Sequence, residues 1–327
     1  MNNLYNGRGI FVFSDAAGAN SILAIIDELI DNFKKPDIDF LVFSDKKGKF
    51  DSEIYKFVNK LDFNSKKINQ IIESFCPDYI FTATSFHDYE HNWRQISKVK
   101  NIHTYGFIDH WIYYKRRFTF KSLTLYPDEV LVVNEIAKRE AIVEGIPSNI
   151  IKVFGNPYYR KIEKYKPTQS FDSFKNQIGI FNDFKIITFV SENIKDDIPK
   201  DFSGKPFIGF DEYETLENIL VTFFKLSQVN KNISKINLII KIHPISNQSK
   251  FDRLLSKYHL EFLNIIVVKK FDSLILCHYS DYVLGMFSNM LIEALLLNKK
   301  VHRIQINNKV DLFKFDEINS PSIKTLD

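Results

Sequence analysis

Short apolar runs alternate with amphipathic stretches along the whole chain. GIFVFS (9–14) reads as a strand, and NSILAIIDELIDNF (20–33) follows with apolar residues at the 3.6-residue spacing of a helix. IDFLVFS (38–44), YIFTATS (79–85), IHTYGFID (102–109), EVLVVN (129–134) and IIKVFGNP (150–157) read as further strands. EIAKREAIVEG (135–145) reads as a helix stopped by Gly145, with Pro147 just beyond. The pattern then repeats in KIITFVSE (185–192), INLIIKIHP (236–244), NIIVVKKF (264–271), DYVLGMF (281–287) and KVHRIQI (300–306). Between the first two of these, YETLENILVTFFKLSQ (213–228) reads as a helix. Strands with few polar positions, separated by helices, predict α/β architecture with parallel sheets covered on both faces.

The polar stretch KYKPTQSFDSFKNQIG (164–179) shows no strand pattern and reads as a linker. Two Rossmann-like domains are therefore expected, at 1–165 and 181–327, joined by 166–180. A chain of 327 residues suits two cores. The glycine fingerprint of dinucleotide-binding folds is absent after the first strand, where DAAGAN supplies only part of a glycine turn. The Walker phosphate-loop pattern is missing too, so nicotinamide, flavin and P-loop enzymes are disfavoured.

Hydrophobic residues make up 45% and charged residues 26%, the balance of a soluble globular protein. A formal net charge of +4 is compatible with anionic ligands and too weak to argue for nucleic acid. Cys76 and Cys277 lie far apart among apolar residues and read as reduced core thiols, with no zinc spacing. The N-terminus lacks the order of a signal peptide, and no run approaches the ~20 apolar residues of a membrane span. A cytoplasmic location is expected, with peripheral contact at the inner membrane face left open through KYKPTQ and YYKRRF.

Two breaks in the apolar pattern carry the candidate chemistry. In open α/β sheets, ligands bind beyond the carboxyl ends of strands, near helix N-termini. INLIIKIHP ends on Pro244, which can neither continue a ladder nor donate a hydrogen bond, so His243 falls at the rim. Lys241 shares its side-chain parity. DYVLGMF ends in the same way: Ser288 or Asn289 caps, and MLIEALLLN continues as a helix. The first N–H groups of such a helix, with its dipole, can hold a phosphate. Glu293, inside this helix, is either a capping or solvated residue or a partner for a ribose.

KIHP followed by SDYVLGMFSNMLIEALLLNKKV resembles the C-terminal domain of GT-B glycosyltransferases. The resemblance is to the bacterial sialyltransferase and polysialyltransferase-like enzymes and to the CDP-glycerol glycerophosphotransferases. It implies a GT-B fold, two Rossmann-like domains facing a central cleft, with the nucleotide on the second and the acceptor on the first. It also implies donor-phosphate contacts from His243 and Ser288, with Asn289 departing from the families' second hydroxyl; Asn289 and Lys241 are further candidate phosphate contacts beside them. Ser191, Glu192, Pro244, Gly285, Met286, Phe287 and Glu293 are candidate nucleotide or donor contacts. TATSFHDYEHNW, GFIDHWIYYKRRF, GNPYY, VSENIKDD and GFDEY are similar to segments of uncharacterised GT-B-like proteins of surface-polysaccharide loci.

An inverting transferase needs a base for the acceptor hydroxyl. Asp15, in the small-residue turn after the first strand, is the first candidate, with Gly18 allowing close approach and Asn20 beside it. Asp109 and Glu90 are the other acids. His110, Trp111, Arg116 and Arg117 are candidate acceptor or sugar contacts, with Tyr113 and Tyr114 as further stacking rings. Asp211 or Glu212 of GFDEY is placed near the nucleotide. The resulting expectation is a metal- and cofactor-independent glycosyltransferase. It moves a sugar, favoured as a CMP-linked nonulosonic acid or Kdo, onto a glycan or lipid-linked glycan of the bacterial surface. The alternatives are a UDP-sugar transferase, a sugar-nucleotide 2-epimerase or hydrolase of the same fold, and a non-catalytic glycan- or nucleotide-binding component of an assembly complex.

Overall fold

The computed structural model describes residues 7–32, 38–45, 57–62, 64–86, 88–111, 113–230, 233–306 and 323–326. Phe33, at the end of an expected helix, His87, in TATSFHDYEHNW, and Ile112, in GFIDHWIYYKRRF, lie outside the described residues. Two compact units follow one another, Met1–Lys161 and Ile162–Asp327.

In the first unit, β1 (Gly7–Phe13), α1 (Ala16–Asn32), β2 (Ile38–Ser44), β3 (Val58–Lys60), α2 (Ser65–Phe75), β4 (Tyr79–Thr82), α3 (Asp88–Val99) and β5 (His103–Ile108) come in turn. A short antiparallel pair, β6 (Thr119–Phe120) and β7 (Leu123–Thr124), precedes β8 (Glu129–Val132), α4 (Glu135–Val143), β9 (Ile151–Val153) and α5 (Pro157–Glu163). The seven-stranded sheet runs β3-β2-β1-β4-β5-β8-β9, and its strand pairs are parallel. Alternate residues of β1 serve opposite faces. Ile10 and Val12 pack with Ile68 and Ile72 of α2 and Tyr89 and Trp93 of α3. Between them, the Phe11 ring stacks on Phe81 at 5.7 Å, and Phe81 stacks on Tyr105 at 5.7 Å. That aromatic ladder crosses three strands and pins their register.

The second unit contains α6 (Phe171–Ile178), β10 (Lys185–Val190), α7 (Ile194–Asp197), α8 (Glu212–Val229), β11 (Ile236–Lys241) and α9 (Gln248–Leu255). It continues with β12 (Leu263–Val268), α10 (Ser273–Tyr279), β13 (Tyr282–Gly285), α11 (Asn289–Leu296), β14 (Lys300–Ile304) and β15 (Ile323–Leu326). Its sheet runs β12-β11-β10-β13-β14-β15, with parallel pairs. One face is covered by α6, α10 and α11 through Phe174, Leu276 and Leu291. The other is covered by α8 and α9 through Leu216, Leu220 and Phe251.

Numbered within each unit, both sheets have the doubly wound order 3-2-1-4-5-6, the first with one strand more. The expected α/β class with two Rossmann-like domains is the observed one. Two expectations change. The stretch 166–180, read as a linker, contains α6, whose Phe174 and Ile178 belong to the second unit's core. Its ends were signalled: the Ser170 hydroxyl accepts the Ser173 N–H, and Gly179 closes the helix at φ +82°. Cys76, read as a core thiol, is exposed and ends α2 at φ +48°, whereas Cys277 is buried.

Gly18 sets how closely α1 approaches the β4 loop. A Cβ there would meet the Ala83 Cβ at 2.7 Å and the Asp15 Oδ1 at 3.0 Å. The Ala83 carbon is fixed to the backbone and cannot rotate away. Gly18→Ala gains up to about 1 kcal/mol of helix propensity but overpacks the junction by about 1–3 kcal/mol. A net loss of stability is expected, read as a lower denaturant midpoint; a higher midpoint would show that the contact relaxes freely.

Candidate functional site

A doubly wound sheet opens a crevice where consecutive connections leave in opposite directions, at the carboxyl ends of its first and fourth strands. In the second unit those strands are β10 and β13. Ser191, Glu192 and Asn193 follow β10; Met286, Phe287 and Ser288 follow β13; Ile242, His243 and Pro244 follow the neighbouring β11. The motifs singled out in the sequence thus leave adjacent strands at one sheet edge.

Local chemistry explains each loop. The Ser288 hydroxyl accepts the Met290 N–H at 3.3 Å and caps α11, whose first residue, Asn289, is exposed. Gly285 packs closely: a Cβ there would lie 3.0 Å from the Leu291 side chain. His243 is half-buried, and the Ile245 N–H approaches its Nδ1 at 3.5 Å. This weak bond makes Nδ1 the acceptor and leaves the ring proton on Nε2, the nitrogen able to donate to an anion. Burial lowers the His243 pKa below its ordinary 6.5, with Asp197 opposing and Lys241 assisting. Burial likewise lowers Lys241, opposed by the charges of Glu293 and Asp272. The loops are also tied together, since the Ser246 hydroxyl donates to Asn193 Oδ1 at 3.2 Å.

Glu192 joins the two strand ends. Its carboxylate accepts the Phe287 N–H at 2.8 Å. Burial pushes its pKa up to about 7, the nearby Glu212 adds to the rise, and the N–H groups of Phe287 and Ser288 and the charge of Arg303 oppose it. Glu212 is buried and likewise raised, mainly by burial; one oxygen accepts the Lys195 N–H at 2.9 Å and the other has no hydrogen-bond partner.

Some expected nucleotide contacts are structural. Met286 is fully buried in the core, and the Ser191 side chain is buried, its hydroxyl donating to the Glu192 carbonyl at 3.3 Å. The Phe287 ring packs on Phe210 at 5.7 Å, and Pro244 is exposed. Glu293 is buried in α11. In GFDEY, Asp211 caps α8 through the N–H groups of Tyr213 and Glu214, both at 2.9 Å.

The corresponding edge of the first unit lies at β1 and β4. Ser14 after β1 and Ser85 after β4 are joined by a 2.7 Å hydrogen bond. Both hydroxyls reach Glu90 of α3, Ser14 at 2.8 Å and Ser85 at 2.7 Å. Glu90 is fully buried, and burial raises its pKa against the pull of the two serines and Arg94. Buried Arg94, one helical turn on, donates to the Thr82 hydroxyl at 3.0 Å. The nomination of Glu90 as a rim catalyst is therefore corrected: the carboxyl clasps two strand ends inside the unit. DYEHNW forms the first half of α3, a helix in which Tyr89, Glu90, His91, Trp93 and Arg94 are all buried.

Asp15 caps α1, its Oδ1 accepting the Gly18 N–H at 2.7 Å, and Asn20 is exposed further along the helix. Asp109 follows β5 and lies 3.6 Å from Arg117, which also donates to the Thr84 carbonyl at 2.7 Å. Arg117 thus braces two strand ends. His110 accepts the Trp111 N–H at 2.9 Å, and burial lowers its pKa. Trp111 and Tyr114, expected as stacking rings, are buried and bonded to Asn134 and Glu140, at 3.2 and 3.0 Å. Exposed beside them are Tyr113 and, unnoticed in the sequence, Phe86 after β4. The exposed Arg116 guanidinium sits 5.1 Å from the Phe86 ring and 5.6 Å from that of Tyr113, which has a left-handed backbone at φ +59°. Among the described residues no three His, Cys, Asp or Glu side chains gather as a metal site, and no helix is long and apolar enough to cross a membrane.

The fold is shared with several solved structures. The UDP-GlcNAc 2-epimerase of Methanocaldococcus jannaschii aligns at TM-score 0.66 and 13% identity, over 98% of this chain and 88% of that one. Staphylococcus aureus MnaA with UDP aligns at 0.60 and 12%, over 97% and 83%. Anabaena Alr3699/HepE with UDP-glucose aligns at 0.60 and 13%, over 91% and 80%. No family model matches the sequence, and neither does any curated protein sequence. The motif resemblance to sialyltransferases and CDP-glycerol transferases therefore reaches the fold but gains no support as a family assignment.

Proposed function

We propose that this chain is a UDP-sugar-processing enzyme of the GT-B fold, and that it acts first as a sugar-nucleotide 2-epimerase. The observation that carries the reading is the meeting of the β10, β11 and β13 loops at the switch point of the second sheet. There the Nε2–H of His243 and the start of α11 supply donors suited to a diphosphate. Breaking a sugar–phosphate bond puts negative charge on the departing diphosphate, and preformed donors stabilise that charge without reorganising. This demand is common to epimerisation through nucleotide departure, to hydrolysis and to transfer.

The solved structures of similar fold support a uridine over the cytidine expected from the motifs. M. jannaschii UDP-GlcNAc 2-epimerase supports epimerisation, and the MnaA and HepE structures contain UDP and UDP-glucose. A second reading, transfer from a UDP-sugar, is favoured by the exposed Phe86, Tyr113 and Arg116 beyond β4 and β5. Aromatic faces and a guanidinium suit a sugar acceptor carrying an acidic group.

Incubation with UDP-GlcNAc alone, followed by proton NMR, separates the two. The epimerase reading expects a second UDP-sugar inverted at C2 and no need for an acceptor. Binding without turnover until a glycan acceptor is added would replace it with transfer.

A further inference from the structure

Glu192 is unusual for an anion-binding edge. A carboxylate stands on the very turn, Phe287 to Ser288, that leads into the helix offered to the diphosphate. Its hydrogen bond connects the two strand ends that flank the crevice. We propose that Glu192 is the positioning residue of this site: by holding the Phe287 N–H it fixes the turn that aims α11 at the diphosphate, and it takes up a proton from solvent when the diphosphate arrives. This rests on the nucleotide reading above and adds its control by pH.

The charges bearing on Glu192 come from two packed elements, Glu212 at the start of α8 and Arg303 on β14. Arg303 is buried and its Nε approaches the Met286 carbonyl at 3.4 Å, so it braces the same turn. Glu192 is half-buried; burial pushes its pKa up to about 7, with the charge of Glu212 adding to the rise and that of Arg303 opposing it. An incoming diphosphate adds negative charge close by, which favours the protonated form further. The neutral acid can still accept the Phe287 N–H through its carbonyl oxygen, so the turn keeps its shape while like-charge repulsion is removed.

The sign follows from proton linkage. Between the free midpoint and the higher bound midpoint, binding takes up a proton, so affinity falls as pH rises. If the midpoint rises by one unit on binding, affinity weakens about tenfold across that window and is flat on either side. Ligand-free stability carries the same sign. With a folded midpoint above that of the unfolded chain, Glu192 favours the fold at acid pH, and the advantage is lost as pH rises from 4.5 to about 7.

The test is calorimetric titration of the full chain with UDP-GlcNAc, whose diphosphate diester does not ionise near neutrality. Runs at pH 6.5 to 8.5, in buffers of different ionisation heat, count protons. His243 is the other group a phosphate would drive to protonate, although its free midpoint lies below 6.5. Wild type, Glu192→Gln and His243→Gln are therefore compared.

Wild type is expected to take up protons near pH 7 and to bind several-fold more weakly at pH 8.5. Glu192→Gln is expected to take up none and to lose the slope, while His243→Gln binds more weakly but keeps both. Binding with no proton uptake in wild type overturns the proposal, even if no variant folds. So does uptake that persists in Glu192→Gln and disappears in His243→Gln. Failure of UDP-GlcNAc and UDP to bind at any pH overturns the nucleotide reading itself, and the proposal with it.

Discussion

Glu90→Ala is expected to destabilise the protein by about 1–3 kcal/mol, because Ser14 and Ser85 keep each other but one of their two buried hydroxyl donors is left without an acceptor. Ser14 and Ser85 both lose their shared partner, and these residues join the ends of β1 and β4. Glu90→Gln is expected to cost far less. Burial already favours the neutral acid at this position, and an amide offers the serines both an acceptor and donors. Denaturant melts of the two variants decide the residue's role. If Glu90→Gln is as unstable as Glu90→Ala, the interior requires the negative charge facing Arg94. If both fold like wild type and only turnover is lost, the structural reading is wrong and the catalytic nomination returns.

His243→Ala is expected to weaken UDP-sugar binding by about 10- to 150-fold, the loss of one charge-assisted hydrogen bond at about 1.5–3 kcal/mol. The melting temperature without ligand should change little, because His243 stands on a loop and its ring makes one weak backbone contact at 3.5 Å. Asn289→Ala should have a much smaller effect on affinity, since that side chain is exposed and the cap belongs to Ser288. Equal losses at both positions would move the phosphate away from His243 and onto the helix surface. Competition binding with a fluorescent UDP derivative measures all three proteins under one set of conditions.

Most of the fold was legible in the sequence because parallel strands buried on both faces are nearly continuous apolar runs. The expected strands 38–44, 185–192 and 236–244 each contain an observed one. The last residues of 185–192 and 236–244 lie beyond the hydrogen-bonded ladder. β4 stops at Thr82 and β11 at Lys241, which frees Ser85 and His243 to act as loop residues. The phosphate-side motifs were legible for a related reason: Pro244 and the Ser288 cap are backbone signals, and backbone signals survive without tertiary context.

Side-chain direction was not legible. DYEHNW looks polar, yet α3 turns its Glu, His, Trp and Arg into the unit, where strand ends from far along the chain supply their partners. Trp111 and Tyr114 were misplaced in the same way, since only the fold reveals Asn134 and Glu140 beside them. Phe86 escaped notice because a single Phe among many carries no signal until Arg116 and Tyr113 are seen against it. Glu192 was named as one nucleotide-side residue among several. Its tie to Phe287 spans 95 positions and no local pattern contains it.

A crystal structure with UDP bound measures directly where a diphosphate sits. The phosphates are predicted to lie within hydrogen-bonding distance of His243 Nε2 and of the first free N–H groups of α11, beside the turn held by Glu192. Clear density for UDP on another part of either unit, with this strand edge left empty, would contradict this placement.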